Sequence, residues 1–301
     1  MKRLLFSLLN AAGLTRLCAW YFRKHVAFLC YHGVTNRPAD LPRDVKGLHV
    51  QVERFKQHLD FLQRRYHVIS LADFIAAQHH RKSLPAYSLV LTFDDGFRNF
   101  LTVAAPLLAE RKMPATVFLI TDRAAQEQIE SLDTEWSPED DQRYLSWAEA
   151  RQLQQSPYFN FGSHTCSHPG LLTLSPRESR HELQHSYEDL MSHLDIEVST
   201  LSYPKGQYSK VIANEARNVG YACAVTTDRG VNEIDHDPFT LGRTLIGDFD
   251  DQASFAVRVS GLRWCLIRIL ALFVPSRDGR MRQPAPRADR YRDEAYHPSN
   301  L

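Results

Sequence analysis

Ser88-Leu-Val-Leu-Thr-Phe-Asp94-Asp95-Gly96 is an apolar, β-type run that ends in two adjacent carboxylates and a glycine. Further along the chain, a second apolar run ends in Gly162-Ser163-His164-Thr-Cys-Ser-His168-Pro169. If both runs are strands of one parallel sheet, their carboxyl ends meet at the same rim, where barrel enzymes carry their chemistry. One carboxylate and two imidazoles suit a divalent metal, and the other carboxylate is left as a base. The pair of motifs therefore indicates metal-assisted hydrolysis.

Short β-type runs alternate with helix-period segments through the middle of the chain. The predicted strands are Val26–Tyr31, His67–Ser70, Leu89–Phe93, Thr116–Ile120, Phe159–Ser163, Thr200–Tyr203, Ala222–Thr226 and Thr240–Ile246. The predicted helices are Val52–Arg65, Leu71–Gln78, Phe97–Arg111, Trp147–Gln154, Pro176–Leu194 and Ser209–Val219. This alternation predicts an α/β fold with a parallel sheet, closed or nearly closed into a barrel. Residues 121–144 break the rhythm, and we expect a long loop or short helices over the barrel mouth.

Neither motif is specific by itself. Asp-Asp-Gly is ordinary turn chemistry, and two histidines four residues apart also occur at His181 and His185. That second pair lies in a charged helical segment without strand-borne carboxylates, so it predicts no metal site. Only the joint placement after two strands makes Asp95, His164 and His168 a predicted ligand set.

Nitrogen and oxygen ligands of this kind suit zinc, with cobalt, nickel or manganese as alternatives. Three protein ligands leave coordination positions open for water and substrate. A bound cation lowers the pKa of water, and a neighbouring free carboxylate, here Asp94, takes its proton. Cys166 lies between the two histidines, where we favour a small filler side chain over a further ligand.

The two motifs resemble the first two signatures of the polysaccharide deacetylase family, the NodB-homology carbohydrate esterases. The resemblance covers about 26–246 and includes Trp147 and the turn Tyr203-Pro-Lys205-Gly206. It implies a deformed (β/α) barrel of about seven strands that removes acetyl groups from N-acetylated sugars with a divalent metal. It also implies Asp94 as the base and Asp95, His164 and His168 as the metal ligands, with the Lys205 amide binding the oxyanion.

The chain departs from the family pattern in two places. The arginine that usually orients the base is replaced by Ser202, and Arg243 is the nearest substitute, unless it is a surface residue on a strand end. The late motif that supplies the general acid is absent. Cys30-Tyr31-His32-Gly33-Val34 instead resembles the early motif of a subgroup that includes poly-N-acetylglucosamine deacetylases, which implies His32 as the acid. A buried structural histidine is the alternative.

These residues predict an N-deacetylase that acts on an N-acetylhexosamine glycan in surface polysaccharide biosynthesis. The expected substrate is an acetylated glycan or a lipid-linked oligosaccharide. A carbohydrate O-acetyl esterase would use the same site, and a glycan-binding homologue without activity is a third reading. The net charge of +1 gives no reason to expect a nucleic-acid partner.

The ends of the chain differ from its centre, residues 26–250. Residues 1–25 have basic residues and apolar residues at helical spacing, which predicts an amphipathic helix that lies on a membrane or packs on the barrel. A cleaved secretory signal is the remaining alternative, although Asn10 interrupts the apolar stretch. We expect an apolar helix over 251–275 and a disordered tail over 276–301. Five scattered cysteines favour a reducing compartment. The expected location is the cytoplasm, with peripheral contact to the inner membrane face.

Overall fold

The computed structural model describes residues 2–37, 41, 47–126, 135, 137–197, 199–228 and 230–273. The strands are β1 (Ala27–Tyr31), β2 (Gly33–Thr35), β3 (His49–Gln51), β4 (His67–Ile69), β5 (Ser88–Phe93), β6 (Ala115–Leu119), β7 (Phe159–Ser163), β8 (Thr200–Ser202), β9 (Cys223–Val225) and β10 (Thr244–Leu245). The helices are α1 (Lys2–Ala11), α2 (Leu14–Tyr21), α3 (Val52–Arg65), α4 (Leu71–His79), α5 (Ala105–Glu110), α6 (Thr121–Gln126), α7 (Trp147–Gln154), α8 (Pro176–His193), α9 (Lys210–Val219), α10 (Gln252–Val259) and α11 (Leu262–Phe273). The predicted tail over 276–301 lies outside the described residues.

A curled parallel sheet organises the molecule. Its strand order is β10-β1-β5-β6-β7-β8-β9, and β4 pairs with the first half of β5. An isolated parallel bridge between Val225 and Leu241 connects β9 to the segment that leads into β10. The sheet thus forms the predicted deformed barrel of about seven strands, and β2 and β3 form a separate parallel pair.

The central strands are apolar because both of their faces are covered. In β5, Leu89, Leu91 and Phe93 join the core beneath the helices, whereas Val90 packs with Phe28 on the opposite face. All six residues of β5 are buried. Successive side chains of a strand alternate between faces. The run therefore ends with Asp94 directed to the same side as Val90, toward the barrel interior.

The observed helices and strands differ from the predicted ones where the sequence pattern was short or irregular. The helix predicted over 97–111 is a wide π-type turn, Phe100–Ala104, followed by α5. Pro106 lies in the first turn of α5 and has no N–H to donate, so the regular hydrogen-bond ladder is interrupted there. The strand predicted over 240–246 is reduced to the two residues of β10, and β2 and β3 were too short to predict.

Residues 121–144 contain α6 and a short 3₁₀ turn, Pro138–Asp141, in their described part. Two acidic residues of this region, Asp140 and Asp141, are buried. Asp140 pairs with Arg98, and Asp141 accepts hydrogen bonds from Asn99 (2.8 Å) and Thr35 (2.7 Å). The acidic run therefore anchors this region to the rim of the barrel.

Each terminal helix predicted from the sequence is divided in two by a glycine. Gly13 separates α1 from α2, and Gly261 separates α10 from α11; both have positive φ, 76° and 77°. The terminal helices contact one another, α1 on α10 and α2 on α10 and α11. Within the described part of the chain, no helix combines the length and the apolar character needed to cross a bilayer.

His58 is a buried polar residue that the fold keeps neutral. Its ring stacks on Phe255 with centroids 3.9 Å apart, and it hydrogen-bonds the Tyr31 hydroxyl (3.2 Å) and the Asp250 carbonyl (3.0 Å). Burial lowers the pKa of His58 to about 4. In the unfolded chain an imidazole has a pKa of about 6.5.

This difference predicts a loss of stability in mild acid. As the pH falls from about 6.5 toward about 4, His58 becomes protonated in the unfolded chain but stays neutral in the folded chain. The free energy of unfolding therefore falls by roughly 3 kcal/mol. Urea unfolding at neutral pH and at pH near 5 measures this, with His58→Gln as the comparison. The variant should show a smaller decrease, and an unchanged decrease would contradict the assignment.

Candidate active site

Four strand ends deliver the candidate residues to one rim. Asp94 and Asp95 follow β5, and His164 follows β7. His32 lies between β1 and β2, and Ser202 is the last residue of β8. Because all these strands are parallel, their carboxyl ends converge, and the side chains that the sequence analysis grouped do meet in space.

Asp94 is held by a buried arginine. Its Oδ1 and Oδ2 accept hydrogen bonds from Arg243 Nη1 and Nη2, both at 2.7 Å. The Asp94 side chain also accepts hydrogen bonds from the Ser202 hydroxyl (3.2 Å) and the Cys30 thiol (3.4 Å). Arg243 is fully buried, so the structure contradicts the alternative of a surface arginine. Arg243 thus contacts Asp94 as expected of an arginine that orients it, and its role in catalysis stays a prediction.

Arg243 is itself fixed on every side. Its Nε donates to the Thr226 carbonyl (3.0 Å), Nη1 donates to Thr92 (2.9 Å) and Nη2 donates to Ser202 (2.8 Å). Burial alone would raise the pKa of Asp94, but the Arg243 guanidinium holds that pKa well below its usual range. Asp94 is therefore ionised and oriented, in the state required to accept a proton.

The second carboxylate has different partners. Asp95 Oδ1 lies 3.4 Å from His164 Nε2 and 3.6 Å from His168 Nε2. One potential ligand atom from each of these three residues lies within 4.8 Å of the others. Asp94 stands beside this set, with Oδ2 3.8 Å from His164 Nε2. Of the two adjacent carboxylates, Asp94 thus interacts with an arginine and Asp95 with a pair of imidazoles.

Hydrogen bonding orients the first imidazole. His164 Nδ1 lies 2.8 Å from the Ser202 carbonyl oxygen, which can only accept, so Nδ1 carries the hydrogen. Nε2 then presents its lone pair to Asp95 when the ring is neutral. Metal-binding histidines commonly have this arrangement, because the outer hydrogen bond fixes both tautomer and ring position.

The charges in this cluster favour a cation at its centre. Burial and the neighbouring His164 lower the pKa of His168 to about 4, so His168 is neutral at pH 7. Burial would raise the pKa of Asp95, but the surrounding imidazoles lower it to about 2. Asp95 Oδ1 is buried and has no hydrogen-bond partner. A buried carboxylate oxygen without a donor, facing two imidazole nitrogens, fits the donor set of a divalent metal.

Strained backbone accompanies these side chains. Asp95, Thr165, His168 and Lys205 all have positive φ, between 57° and 69°. This region of the Ramachandran map is unfavourable for residues with a side chain and concentrates at functional sites. Cys166 N and Ser167 N in the loop between the histidines both donate to the Glu182 carboxylate. Hydrogen bonds from α8 thus hold the loop in this conformation.

His32 lies next to Asp94. Potential ligand atoms of Cys30, His32 and Asp94 lie within 4.8 Å of one another, and His32 Nδ1 is buried without a partner. Burial lowers the pKa of His32, although Asp95 and Asp94 offset part of that effect. The position next to the base remains compatible with an acid.

The turn after β8 carries the predicted oxyanion donor. Lys205 lies in the turn Pro204–Gly206 with φ 57° and an exposed side chain. Gly206 has a positive φ, and a Cβ there would lie 2.5 Å from the Thr227 backbone nitrogen. The turn begins two residues after Ser202 and so lies next to the site. The role of the Lys205 amide stays a prediction.

Sequence reasoning missed several residues that support the site. In the sequence, Ser202 was notable only because it replaces an arginine of the family pattern. In the structure, its hydroxyl contacts both Arg243 and Asp94, and its carbonyl oxygen orients the His164 ring. Cys30, Thr92 and Glu182 gave no sequence signal, because thiol, hydroxyl and helical carboxylate side chains are ordinary in those positions. The alternation of β1 does place Cys30 on the inner face, which is the one available clue.

The residues that the sequence analysis set aside lie outside the site. The Cys166 thiol donates to Asp122 (3.1 Å), as befits a filler rather than a ligand. His181 and His185 stack on α8 with ring centroids 4.0 Å apart. Among the described residues, that pair belongs to no group of three potential metal ligands.

Comparison with known proteins identifies relatives of one kind. The family model described as polysaccharide deacetylase matches residues 81–224. A putative polysaccharide deacetylase of Bacillus subtilis, YxkH, is 22% identical over 237 residues, which covers 76% of this chain and 79% of the relative. The poly-beta-1,6-N-acetyl-D-glucosamine N-deacetylase of Escherichia coli is 23% identical over 269 residues, or 77% of this chain, but this chain spans only 38% of that protein.

Solved structures share the fold. The deacetylase PplD of Streptococcus pyogenes, in complex with acetate, superposes with a TM-score of 0.67 at 22% identity, covering 78% of this chain and 98% of the other. IcaB of Ammonifex degensii gives a TM-score of 0.63 at 22% identity, covering 79% of this chain and 97% of the other. At this level of identity the superpositions establish the barrel architecture.

The ligand set predicts one high-affinity metal site. His168→Ala should weaken zinc binding at least about 100-fold, because it removes a direct ligand. Removing only a residue that hydrogen-bonds a ligand already lowers metal affinity by about 10–100-fold. Competition against a chromophoric chelator measures the affinity. His185→Ala is the matched control and should bind zinc like the wild type. Equal affinity of both variants would show that the metal binds elsewhere.

The buried ion pair predicts a large stability effect. Arg243→Met leaves the Asp94 charge buried without its partner and should lower the free energy of unfolding by about 3–5 kcal/mol. Arg217→Met breaks the exposed pair with Asp237 and should cost no more than about 1 kcal/mol. Adding Asp94→Asn to Arg243→Met should recover part of the loss. Urea unfolding measures all four proteins, and a stable Arg243→Met would refute the coupling.

Proposed function

We propose that this chain, residues 81–224 of which match the polysaccharide deacetylase family model, removes N-acetyl groups from N-acetylhexosamine residues of a surface polysaccharide with the help of one divalent metal ion. One observation carries the proposal. The donor-free oxygen of Asp95 faces two imidazole nitrogens, and an arginine-bound Asp94 stands within 3.8 Å of one of them. This arrangement supports a metal-ligand set with a separate base at its side.

Asp95, His164 and His168 would hold the metal, with zinc favoured over cobalt, nickel and manganese. A bound divalent cation polarises the acetyl carbonyl and lowers the pKa of an attacking water. Asp94 accepts the proton of that water. Its bidentate contact with Arg243 keeps the carboxylate ionised and directed at the rim, which limits the reorganisation needed during proton transfer.

His32 is proposed to protonate the departing nitrogen. Its ring has a nitrogen within 4.8 Å of an Asp94 carboxylate oxygen and burial keeps it neutral at pH 7, so it takes up the proton that Asp94 accepts from water and passes that proton to the departing nitrogen. An amine leaving group is far more basic than imidazole, so a ring with a lowered pKa is a competent donor. The amide of Lys205, in the turn after β8, is proposed to donate to the oxyanion.

The printed name of one relative supports the proposed substrate class. That relative is named a poly-beta-1,6-N-acetyl-D-glucosamine N-deacetylase. We therefore propose a polymer or lipid-linked oligosaccharide of N-acetylhexosamine. An O-acetyl esterase using the same residues is the second candidate, because ester and amide hydrolysis share the metal and the base.

The decisive test is acetate release from a panel of N-acetylhexosamine oligosaccharides. Asp94→Asn keeps the shape of the base but removes its charge, and turnover should fall by about 10²–10⁴-fold. Chelation should abolish turnover, and added zinc should restore it. Asp122→Asn is the control, since that carboxylate contacts Cys166 outside the ligand set. Wild-type protein without acetate release on any member of the panel would refute the proposal.

His32 distinguishes amide from ester chemistry. His32→Ala should lower turnover of an N-acetyl substrate by about 10²–10⁴-fold and that of an O-acetyl substrate much less, because an alkoxide leaves with less need of a proton. Steady-state rates on matched N-acetyl and O-acetyl sugars measure the difference. Equal turnover of the amide by variant and wild type would remove His32 from its role.

A further inference from the structure

The two N-terminal helices expose an apolar surface that the catalytic site does not use. Among the described residues, eleven large apolar side chains are exposed, and seven of them belong to α1 and α2. They are Leu4, Leu5, Leu8, Leu14, Leu17, Trp20 and Tyr21, with exposed fractions between 37% and 68%. We call this set the N-terminal apolar surface. Such concentration of exposed apolar area marks a binding surface.

Packing on the barrel does not account for these side chains. In α2, Thr15 is buried and so is Phe22, seven residues later, which defines the face turned to the protein. Leu14, Leu17 and Tyr21 have spacing i, i+3, i+7 and share the opposite, outward face. The helix therefore has an inner face that satisfies the fold and an outer face that the described structure leaves exposed.

Positive charge surrounds this outer face. The first 24 residues contain five basic residues and no acidic one. The Arg23 guanidinium lies 4.4 Å from the centre of the Trp20 ring, and Lys24 is exposed. Beside α2, a cavity of about 190 Å³ is lined by residues that include Arg16 and Arg65. Apolar and aromatic side chains next to arginine and lysine match the interface of a bilayer that contains anionic lipids.

We propose that the N-terminal apolar surface docks this protein on the surface of an anionic lipid bilayer. A second copy of the chain is a poorer occupant, because a symmetric contact would set the same basic residues against each other. The helices α1 and α2 would lie in the plane of the interface. Anionic lipids give the cytoplasmic leaflet its negative surface potential, so that leaflet is the proposed surface.

Docking through α2 fixes the direction of the catalytic rim. The cavity beside α2 is also lined by Tyr66 and Tyr87, which directly precede β4 and β5. It therefore lies at the end of the barrel where strands begin, and the candidate active site lies where they finish. At roughly 3.3 Å per strand residue, the two ends are more than 15 Å apart. Given the proposed function, the rim would receive a sugar chain that extends away from the bilayer.

Vesicle co-sedimentation of the full chain tests the proposal. Wild-type protein should pellet with vesicles of equal parts phosphatidylcholine and phosphatidylglycerol. Leu8→Gln, Leu17→Gln and Trp20→Gln together should lower partitioning at least about tenfold, because each exchange removes apolar area from the contact. The control combines Met191→Gln and Val211→Gln, two exposed apolar side chains elsewhere, and should bind like the wild type.

A second set of variants tests how much the basic residues contribute to vesicle binding. Arg16→Gln and Lys24→Gln should each weaken binding to the anionic vesicles about fivefold, the equivalent of roughly 1 kcal/mol per basic residue. Binding to pure phosphatidylcholine vesicles should be weaker and indifferent to these changes. All arms use the Asp94→Asn background as well as the wild type. A protein that binds vesicles but releases no acetate, or one that releases acetate but does not bind vesicles, then distinguishes failure of one proposal from failure of the other.

Two results would overturn the proposal. The first is wild-type protein that stays in the supernatant with anionic vesicles. The second is a wild-type dimer in sedimentation velocity that the triple variant converts to a monomer, which would assign the surface to self-association. Acetate release from a soluble oligosaccharide should be the same for the triple variant and the wild type, which shows that the variant is folded.

Discussion

The bidentate contact between Arg243 and Asp94 is the interaction on which the rest of the site depends. A carboxylate buried at the end of β5 is tolerable only with a fixed positive partner, since an unpaired charge in such surroundings costs several kcal/mol. Arg243 supplies that charge, and Thr92, Ser202 and Thr226 hold the guanidinium in place. Because Arg243 balances the charge of Asp94, the adjacent Asp95 carboxylate can interact with the imidazoles of His164 and His168.

This division explains how neighbouring aspartates have unlike chemistry. Peptide geometry sends Asp94 into the barrel, while the positive φ of Asp95 turns that side chain toward His164 and His168. Ser202 touches both halves, because its hydroxyl contacts Asp94 and its carbonyl fixes the His164 ring. One small residue at the end of β8 therefore connects the proposed base to the proposed ligand set.

Sequence patterns predicted the barrel and brought Asp94, Asp95, His164, His168, His32 and Arg243 to one rim. They succeeded because strand ends in a parallel sheet are ordered by topology, which alternation in the sequence reveals. They failed where a contact depends on distant parts of the chain. The desolvation of His32, the division of the terminal helices at Gly13 and Gly261, and the burial of Asp140 and Asp141 are of that kind.

The pairing of Asp94 with Arg243 spans 149 positions of the chain. The segment that the polysaccharide deacetylase family model matches, residues 81–224, contains the aspartate but neither Arg243 nor His32. A fragment cut to that segment would keep every proposed metal ligand and yet leave a carboxylate stranded in the interior. The folded unit around Asp94 is thus wider than the span of the family model, and it includes the parallel pairing of the first and tenth strands.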